Sequence, residues 1–252
     1  MLRISHLTVE YGGLSAVHDF SVEIASGEIV AIIGPNGAGK TSIARALLGM
    51  VRGVGGQRTL TGARASHDLT PYKPSEIAQL GIAYVSNERP IFESLTVVEN
   101  LNVAFSCVAV AKQSKVGLLE DLYTRFRWLE ERRYQRAGSL SGGEKRKLAL
   151  ARAFIQISAL ALTRGRKLFF PLLVLDEPTS GLDPQSIDSL RVELAANRSS
   201  GIAILLLDQS LTIASSIADR AILLSRGEAI HQGKAVDVLR GPLLDRLLLG
   251  VV

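Results

Sequence analysis

Residues 34–41 read Gly-Pro-Asn-Gly-Ala-Gly-Lys-Thr, and this stretch decides the fold. It satisfies the pattern G-x-x-x-x-G-K-[ST] and stands between an apolar run, Glu28–Ile33, and a segment with helical spacing from Lys40 to Gly49. Glycines let backbone N–H groups approach phosphate oxygens, and a helix beginning near Gly39 adds the partial positive charge of its N-terminus. The stretch therefore predicts a phosphate-binding loop, and its context argues against a glycine-rich turn that merely contains a lysine.

The side chains of this loop suggest individual roles. Lys40 is expected to contact the β- and γ-phosphates of a nucleotide, and the Thr41 hydroxyl is expected to bind Mg²⁺. The expected nucleotide-binding residues of the segment are Gly34, Pro35, Asn36, Gly37, Ala38, Gly39, Lys40, Thr41 and Ser42.

Apolar runs alternate with helical segments downstream of the loop. The runs Leu172–Leu175, Ile202–Leu207 and Ala221–Ser225 are typical of buried strands, and helices are expected after Pro184 and after Ser210. Continuous apolar strands alternating with helices predict an α/β fold with a mostly parallel core sheet.

Two regions depart from that alternation. Leu2–Glu10 and Phe20–Ile24 alternate between apolar and polar residues, which predicts strands near the N-terminus. The middle of the chain, Glu99–Gln135, is expected to be helical, and Glu144–Ile157 has apolar residues at three- and four-residue spacing.

Composition limits the class of protein. The chain has 252 residues, of which 47% are hydrophobic and 21% charged, as in an ordered globular protein. Its net charge of +5 is compatible with nucleic acid, anionic lipid or nucleotide phosphates and selects none of them. No apolar run reaches the roughly 20 residues of a membrane-spanning helix. Cys107 is the only cysteine, so an intramolecular disulfide is excluded.

Two adjacent acids follow the apolar run Leu172–Leu175. Asp176 and Glu177 have no packing reason to end a buried strand, whereas a phosphate site needs one acid for Mg²⁺ and one for water. We expect Asp176 to hold the metal through a water molecule and Glu177 to deprotonate or orient the attacking water. A solvated acid pair at a turn is the alternative.

Three further motifs, in this order around the acids, reveal a family. Leu140-Ser141-Gly142-Gly143-Glu144 opens a helix upstream of the acids and resembles the signature motif of ABC ATPases. The stretch 180–183, Ser-Gly-Leu-Asp, looks like their D-loop, and Tyr11 matches the aromatic residue that stacks on adenine. The chain is thus similar to an ABC ATPase over essentially its whole length.

The resemblance implies a P-loop NTPase fold with an N-terminal antiparallel β subdomain and a helical signature subdomain. We expect a single domain over residues 1–252, with the helical subdomain inserted at about residues 88–160. It also implies that two chains pair head to tail, with ATP and Mg²⁺ held between the phosphate loop of one chain and the signature of the other. Further nucleotide contacts are then expected from Tyr11, Ser141, Gly142, Gly143, Glu144 and Asp183.

Two positions depart from the family pattern. Asn87 stands where most ABC ATPases have the Q-loop glutamine, and Gln209 stands in place of the switch histidine. The Asn87 amide is one methylene shorter but is still expected to reach Mg²⁺ or water. Gln209 can donate a hydrogen bond to a γ-phosphate but cannot carry a proton. The expected catalytic residues are Glu177, Gln209 and Asn87, and the expected metal site is formed by Thr41, Asn87 and Asp176.

Finer sequence features narrow the resemblance. The runs Gly81–Val85, Arg89–Val97 and Glu99–Leu101 look like those of ATP-binding subunits of branched-chain amino-acid importers, a type shared by urea and short-amide importers. This implies transmembrane permease subunits that contact the region Asn87–Asn100, a second ATPase subunit and an extracytoplasmic substrate-binding protein. It also implies a peripheral position on the cytoplasmic face of the membrane.

Other readings remain open. A soluble ABC ATPase acting on nucleic acid or ribosomes is one alternative, although the chain lacks long coiled-coil insertions or a second ATPase domain. A nucleotide-binding regulator with impaired catalysis is another, suggested by Asn87 and Gln209.

Two segments are ambiguous. Residues 155–171 form a longer stretch than relatives usually have there, read either as an extended helix with a surface loop or as an extra membrane-partner contact. A basic stretch also lies between residues 125 and 147, with the cations Arg125, Arg127, Arg132, Arg133, Arg136, Lys145, Arg146 and Lys147. Acidic residues are interleaved with these cations, which favours a solvated helical face over a nucleic-acid surface. No nucleic-acid partner is therefore expected.

Overall fold

The computed structural model of the protein describes residues 1–62, 65–88, 90–106, 108–164 and 170–248. Two sheets carry the fold, one antiparallel and one mostly parallel. The strands are β1 (Leu2–Tyr11), β2 (Leu14–Ile24), β3 (Ile29–Ile33), β4 (Val54–Thr61), β5 (Ser66–Asp68), β6 (Ile82–Val85), β7 (Leu172–Asp176), β8 (Ala203–Asp208), β9 (Arg220–Ser225) and β10 (Glu228–Lys234).

Helices cover the sheets and connect the strands. They are α1 (Lys40–Leu47), α2 (Pro74–Gln79), α3 (Val97–Val103), α4 (Lys112–Arg125), α5 (Arg127–Glu131), α6 (Gly142–Arg164), α7 (Pro184–Ser199), α8 (Ala214–Ile217), α9 (Ala235–Val238) and α10 (Pro242–Leu248). The predicted α/β class with a mostly parallel core sheet is confirmed.

The larger sheet positions the site. Its strand order is β10-β9-β3-β8-β7-β6, and all neighbouring pairs are parallel except β10 with β9. The register places Ile33 of β3 beside Asp208 of β8, and Asp176 of β7 beside Leu207. The carboxyl ends of three adjacent strands therefore meet at one edge, which is where parallel sheets collect polar chemistry.

Both faces of this sheet are buried, as its apolar strands predict. Ile29, Ala31 and Ile33 of β3 face the cluster that includes α6, whereas Val30 and Ile32 face the cluster that includes α1 and the antiparallel sheet. The central strands β3, β7 and β8 are buried at every position. Their side chains therefore stabilise the fold by removing apolar surface from water on two sides.

The smaller sheet has the order β2-β1-β4-β5, with antiparallel pairs throughout. It confirms the predicted N-terminal antiparallel β subdomain, but β2 begins at Leu14, six residues before the predicted start at Phe20. The strands β4, β5, β6 and β10 were not predicted. β5 and β6 are short, β10 is largely exposed, and β4 and β10 lack the apolar alternation that marks a strand in sequence.

The middle of the chain is not one helical run. Within Glu99–Gln135 the structure has α3, α4 and α5, and α4 begins only at Lys112. The first of these helices begins with a capping box in which Thr96 and Glu99 bond each other's backbone N–H groups. The prediction of helix was thus right in type and wrong in continuity.

Helix α6 is longer than predicted at both ends. It begins at Gly142 instead of Glu144 and continues to Arg164, seven residues past Ile157. The extended helix expected for the first part of 155–171 is therefore present, while 165–169 lie outside the described residues, as do Arg89 and Cys107.

Candidate functional site

The phosphate loop joins β3 to α1 and is held in an open, backbone-lined form. Gly37 and Gly39 have φ values of 79° and 103°, a region that side chains rarely allow. The carbonyl of Ala38 accepts a 2.9 Å hydrogen bond from the N–H of Gly227, in the turn between β9 and β10. The loop is thus fixed from outside by a neighbouring turn, while α1 points its N-terminus into the concavity.

Lys40 closes the loop. The residue is only 4% exposed, and its Nζ donates to the carbonyl oxygens of Gly34 at 2.8 Å and Pro35 at 3.0 Å. The same ammonium lies 3.6 Å from Oε1 of Glu177. A buried cation is therefore held at the mouth of the loop, within reach of an anionic group that entered it.

Asp176, the last residue of β7, faces the beginning of α1. Its Oδ1 accepts from the Thr41 hydroxyl at 3.1 Å, and its Oδ2 accepts from the Tyr84 hydroxyl at 3.0 Å. Burial raises the pKa of Asp176, and the charge of Glu177 acts in the same direction, while both hydrogen bonds and Lys40 oppose the shift. Burial also raises the pKa of Tyr84, so this hydroxyl remains a donor.

Glu177 has an unusual backbone for a non-glycine residue. Its φ is 47°, and its N–H donates to the carbonyl of Leu207 at 2.7 Å. Its Oε2 accepts a 2.8 Å hydrogen bond from the amide nitrogen of Asn87. A left-handed conformation that is held on several sides is a feature that clusters at functional sites.

Arg146 is a site residue that the sequence analysis missed and placed on a solvated helical face. That placement is wrong for this residue, because Arg146 is 9% exposed and points from α6 toward Glu177. Its Nη2 donates to Oδ1 of Asn87 at 2.8 Å, and its Nη1 donates to the backbone carbonyl of Glu177. Spacing alone could not single it out between Lys145 and Lys147.

Gln209 follows the end of β8. The neighbouring Asp208 is buried, and its carboxylate organises the turn by accepting from the N–H groups of Gln209 at 2.7 Å and Ser210 at 3.0 Å and from the Thr179 hydroxyl at 2.7 Å. Gln209, Glu177 and Asn36 line one cavity of about 330 Å³. The structure thus brings Gln209 to the side of the site where Glu177 lies.

The signature turn, residues 141–144, lies apart from the residues that line the phosphate loop. Ser141 and Glu144 form a capping box, in which the N–H of Ser141 donates to Glu144 at 2.9 Å and the N–H of Glu144 donates to the Ser141 hydroxyl at 3.3 Å. A Cβ on Gly142 would meet no atom within 4 Å, whereas one on Gly143 would lie 3.1 Å from the Ser186 hydroxyl. Gly142 therefore borders open space, and Gly143 permits close packing against α7.

Asp183 and Tyr11 lie at the margins. Asp183 caps α7, its carboxylate accepting from the N–H and hydroxyl of Ser186 at 3.0 and 2.7 Å. Tyr11 ends β1, is 40% exposed and precedes Gly12, which has a φ of 56°. The structure thus leaves the Tyr11 ring accessible at the edge of the antiparallel sheet.

The centre of the arrangement suits a phosphate chain with a bound cation. A cavity of about 150 Å³ is lined by Gly37, Gly39, Lys40, Thr41 and Glu177, among others. The Thr41 hydroxyl and the Asp176 carboxylate lie 3.1 Å apart. Both offer hard oxygen ligands of the kind that bind Mg²⁺ together with nucleotide phosphates. None of the described residues lining this cavity comes from the signature turn.

Within the ranges that the structure describes, no helix has the length and apolar character needed to cross a membrane.

Comparison with known proteins agrees with this geometry. The family model described as "ABC transporter" matches residues 17–180. The chain is 33% identical, over 99% of its length and 100% of the relative's, to the high-affinity branched-chain amino acid transport ATP-binding protein BraG of Pseudomonas aeruginosa. It is 30% identical, over the full length of both chains, to a probable branched-chain amino acid transport ATP-binding protein, LivF, of Archaeoglobus fulgidus. The solved structure of an ATP-binding subunit of an ABC transporter superposes with a TM-score of 0.80 at 27% identity, covering 100% of this chain and 99% of that one.

Proposed function

Because this chain belongs to the ABC transporter family, whose ATP-binding subunits hydrolyse ATP, we propose that it is the ATPase subunit of an importer for branched-chain amino acids. The observation that carries the ATPase assignment is the position of Glu177. It follows the last residue of a buried strand, 3.6 Å from the lysine of the phosphate loop and in the wall of the phosphate-sized cavity.

Each residue of the site has a role that its geometry suits. The N–H groups of the loop and Lys40 bind the phosphate chain of ATP, and Tyr11 stacks on its base. Glu177 accepts the proton of the attacking water, and Gln209 donates to the γ-phosphate from the adjoining cavity. Thr41 and Asp176 would hold Mg²⁺, which would neutralise phosphate charge when bound. The expected metal contact of Asn87 is not made in this arrangement, because its amide oxygen accepts from Arg146 and its amide nitrogen donates to Glu177.

One chain supplies only part of this site. The signature turn borders open space at Gly142 and is absent from the described lining of the phosphate cavity. Its helix N-terminus presents backbone N–H donors that suit a phosphate. We infer that a second ATPase subunit places its signature over this nucleotide, with Ser141, Gly142, Gly143, Glu144 and Asp183 of each chain facing the ATP of the other.

A permease contact is proposed on the segment that leads into α3. The buried side chain of Asn100 holds this segment by bonding the backbone N–H and carbonyl of Phe92, each at 2.9 Å, and the carbonyl of Thr96 at 3.0 Å. The Phe92 ring is nevertheless 49% exposed, with the Arg152 guanidinium 5.3 Å from its centroid. A rigid loop presenting an exposed aromatic ring suits a partner helix.

Two of the similar proteins are named as branched-chain amino acid transport subunits, which supports that solute class. We also propose an extracytoplasmic substrate-binding protein as a further partner, on the resemblance to importer subunits. We propose one domain over residues 1–252, with the helical subdomain at about residues 88–160, acting at the cytoplasmic face of a membrane.

Hydrolysis is tested with Glu177→Gln, which keeps the shape of the side chain and removes its basicity. We expect kcat to fall by about 10²–10⁴-fold, the usual contribution of a general base, with ATP affinity retained. Glu228→Gln on the exposed strand β10 is the matched control and should leave both unchanged. Wild-type turnover by the Glu177 variant would refute its assignment.

The transport role is tested by purifying the tagged chain from detergent-solubilised membranes of its own cells. The expected result is a co-purifying protein with several membrane-spanning helices that stimulates ATP hydrolysis. Stimulation by DNA or RNA, with no such membrane protein, would instead support the nucleic-acid alternative.

A further inference from the structure

Arg146 is a buried cation at the site, and none of the roles proposed above belongs to it. It lies in the second turn of α6, four residues after Gly142, and its side chain enters the interior of the site. Burial lowers the pKa of its guanidinium, and the charges of Asp208, Glu177 and Asp176 oppose that shift. Burying an ion is costly unless it is paired and hydrogen-bonded, so this position is held by specific contacts.

The guanidinium holds two acceptors at once. One nitrogen donates to the backbone carbonyl of Glu177, and the other donates to Oδ1 of Asn87 at 2.8 Å. With the N–H of Glu177 bonded to Leu207 at 2.7 Å, both backbone polar groups of this residue are fixed. Together with the N–H of Ser180, which also donates to the Glu177 carbonyl at 3.2 Å, these bonds hold Glu177 at a φ of 47°, which is unfavourable for a residue with a side chain.

The same contact decides how the Asn87 amide is oriented. Arginine offers only donors, so the Asn87 atom that faces Arg146 must be the oxygen. The NH₂ group then faces the Glu177 carboxylate and donates to its Oε2 at 2.8 Å. Reversing the amide would leave two donors facing each other on one side and two acceptors on the other.

We propose that Arg146 is a positioning residue for ATP hydrolysis, which orients the Glu177 carboxylate through the Asn87 amide and through the Glu177 backbone. This rests on the proposed function of the site. It links the carboxylate to α6, the helix whose first residues form the signature turn, so that a shift of that turn moves the contacts that hold Glu177.

The first test separates turnover from binding. Arg146→Met keeps the length and apolar stem and removes both donors, so we expect kcat to fall about 10- to 100-fold, as for a misoriented catalytic group. The KM for ATP should stay within about twofold, because Lys40 and the loop keep their own contacts. Arg146→Lys retains the charge but loses the planar two-donor geometry and should recover only part of the rate.

Lys145→Met is the matched control, since Lys145 is the preceding cation of the same helix and pairs with the exposed Glu93. It should leave kcat and KM within about twofold of wild type. If Arg146→Met keeps kcat within about twofold, raises KM in step with the loss of kcat, or merely matches Lys145→Met, the proposal is wrong.

A double-mutant cycle with Asn87→Ala tests the path from Arg146 through the Asn87 amide to the Glu177 carboxylate, called the relay below. If Arg146 acts partly through Asn87, the double variant should lose clearly less than the product of the two single losses. A loss equal to that product means that the two residues act independently and overturns the relay. Arg146→Gln, which keeps one donor, replaces Arg146→Met in the cycle if thermal unfolding shows that the methionine variant does not fold.

Separate measurements test the ATPase activity of the chain and the positioning role of Arg146. If the wild-type chain neither binds nor hydrolyses ATP, the proposed function fails and the relay fails with it. If the wild-type chain hydrolyses ATP and the cycle shows no coupling, the relay alone is refuted.

Discussion

The molecule has two glycine-rich turns that each open a helix, and they are built in opposite ways. The phosphate loop, residues 34–41, is bonded to three other segments: Gly227 donates to the carbonyl of Ala38, Gly34 donates to the carbonyl of Asp208, and Thr41 donates to Asp176. The signature turn, residues 141–144, is held by the capping box within its own helix, by the bond from Arg132 to Glu144 and by the close approach of Gly143 to α7.

Glycine itself serves different ends in the two turns. At Gly34 a side chain would overlap the backbone of β9, so glycine is required by packing. At Gly142 a Cβ would meet nothing within 4 Å, so nothing within the described chain requires glycine there. Gly37 of the phosphate loop also has nothing within 4 Å, but its φ of 79° favours glycine. The contrast teaches that packing and backbone conformation fix the glycines of the phosphate loop, whereas Gly142 of the signature turn borders open space.

The largest expected effect comes from Gly34→Ala. A Cβ there would overlap the carbonyl oxygen of Leu224, and backbone in a neighbouring strand cannot move aside as a flexible side chain does. We expect the free energy of unfolding to fall by about 3 kcal/mol, the upper part of the usual overpacking range, as measured by urea denaturation.

Gly233→Ala is the control, because its Cβ would make an ordinary 3.4 Å contact with Val238. It should change the free energy of unfolding by less than about 0.5 kcal/mol. Equal effects of the two substitutions would break the claim that the phosphate loop is fixed by close packing.

Tyr84→Phe removes the hydroxyl on β6 that donates to Asp176 beside the phosphate loop. The buried Asp176 then loses the donor to its Oδ2, which should cost about 1–3 kcal/mol of unfolding free energy at neutral pH and raise the pKa of Asp176 further. Because a protonated carboxyl needs this donor less, the loss should shrink as the pH is lowered.

Tyr72→Phe provides the comparison, since its hydroxyl bonds the partly buried His67 near the antiparallel sheet at 3.1 Å. Its loss should be smaller and should not follow the titration of Asp176. A pH-independent effect of Tyr84→Phe would show that the hydroxyl does not support this carboxylate.

The sequence was sufficient for the phosphate-loop side and insufficient for the contacts between distant segments. Apolar strands and the G-x-x-x-x-G-K-[ST] pattern predict β3, β7 and β8 with Asp176 at a strand end, because burial and backbone geometry are local properties of the chain. The bond between Asn87 and Glu177 joins residues 90 positions apart, and no spacing in the sequence reveals it.

Arg146 shows the physical limit most clearly. Lys145, Arg146 and Lys147 are consecutive cations, and helical periodicity identifies the inward one only when the neighbouring surfaces are known. The polar strand β10 was missed for a related reason, since its pairing with β9 supplies what its sequence lacks.

Gly142→Ala tests the open side of the comparison. The substitution should leave the free energy of unfolding unchanged or raise it by up to about 1 kcal/mol, because alanine favours helix over glycine. In the Glu177→Gln background, however, we expect ATP-driven pairing of two chains to weaken about tenfold, close to 1.4 kcal/mol. The added methyl group would occupy the open space in which we propose that the partner's nucleotide binds.

Gly117→Ala is a matched control for this substitution, since Gly117 lies in α4 and a Cβ there would also meet nothing within 4 Å. It should stabilise the fold similarly without affecting ATP-driven pairing, as followed by sedimentation. If both variants pair like the parent, the signature turn does not receive the partner's nucleotide.

The smallest expected effect concerns how the free energy of unfolding depends on pH through Glu144 of the signature turn and Asp176 beside the phosphate loop. The N–H of Ser141, the main cause, lowers the pKa of Glu144, with the Ser141 hydroxyl and Arg132 adding to the shift. A lowered folded pKa contributes stability above the ordinary value of about 4.3 that is lost as the pH falls through the folded pKa. Asp176, whose pKa is raised by burial, has the opposite sign.

Glu144→Gln isolates this contribution, because glutamine keeps the oxygen that completes the capping box and cannot titrate. Wild type should exceed the variant in unfolding free energy by no more than about 0.5 kcal/mol at pH 6, since the side chain is partly screened by solvent. That excess should disappear in parallel urea titrations as the pH falls through the lowered folded pKa of Glu144. An excess that persists or grows in acid would mean that the charge of Glu144 does not stabilise the signature turn, and that the turn depends on packing as the phosphate loop does.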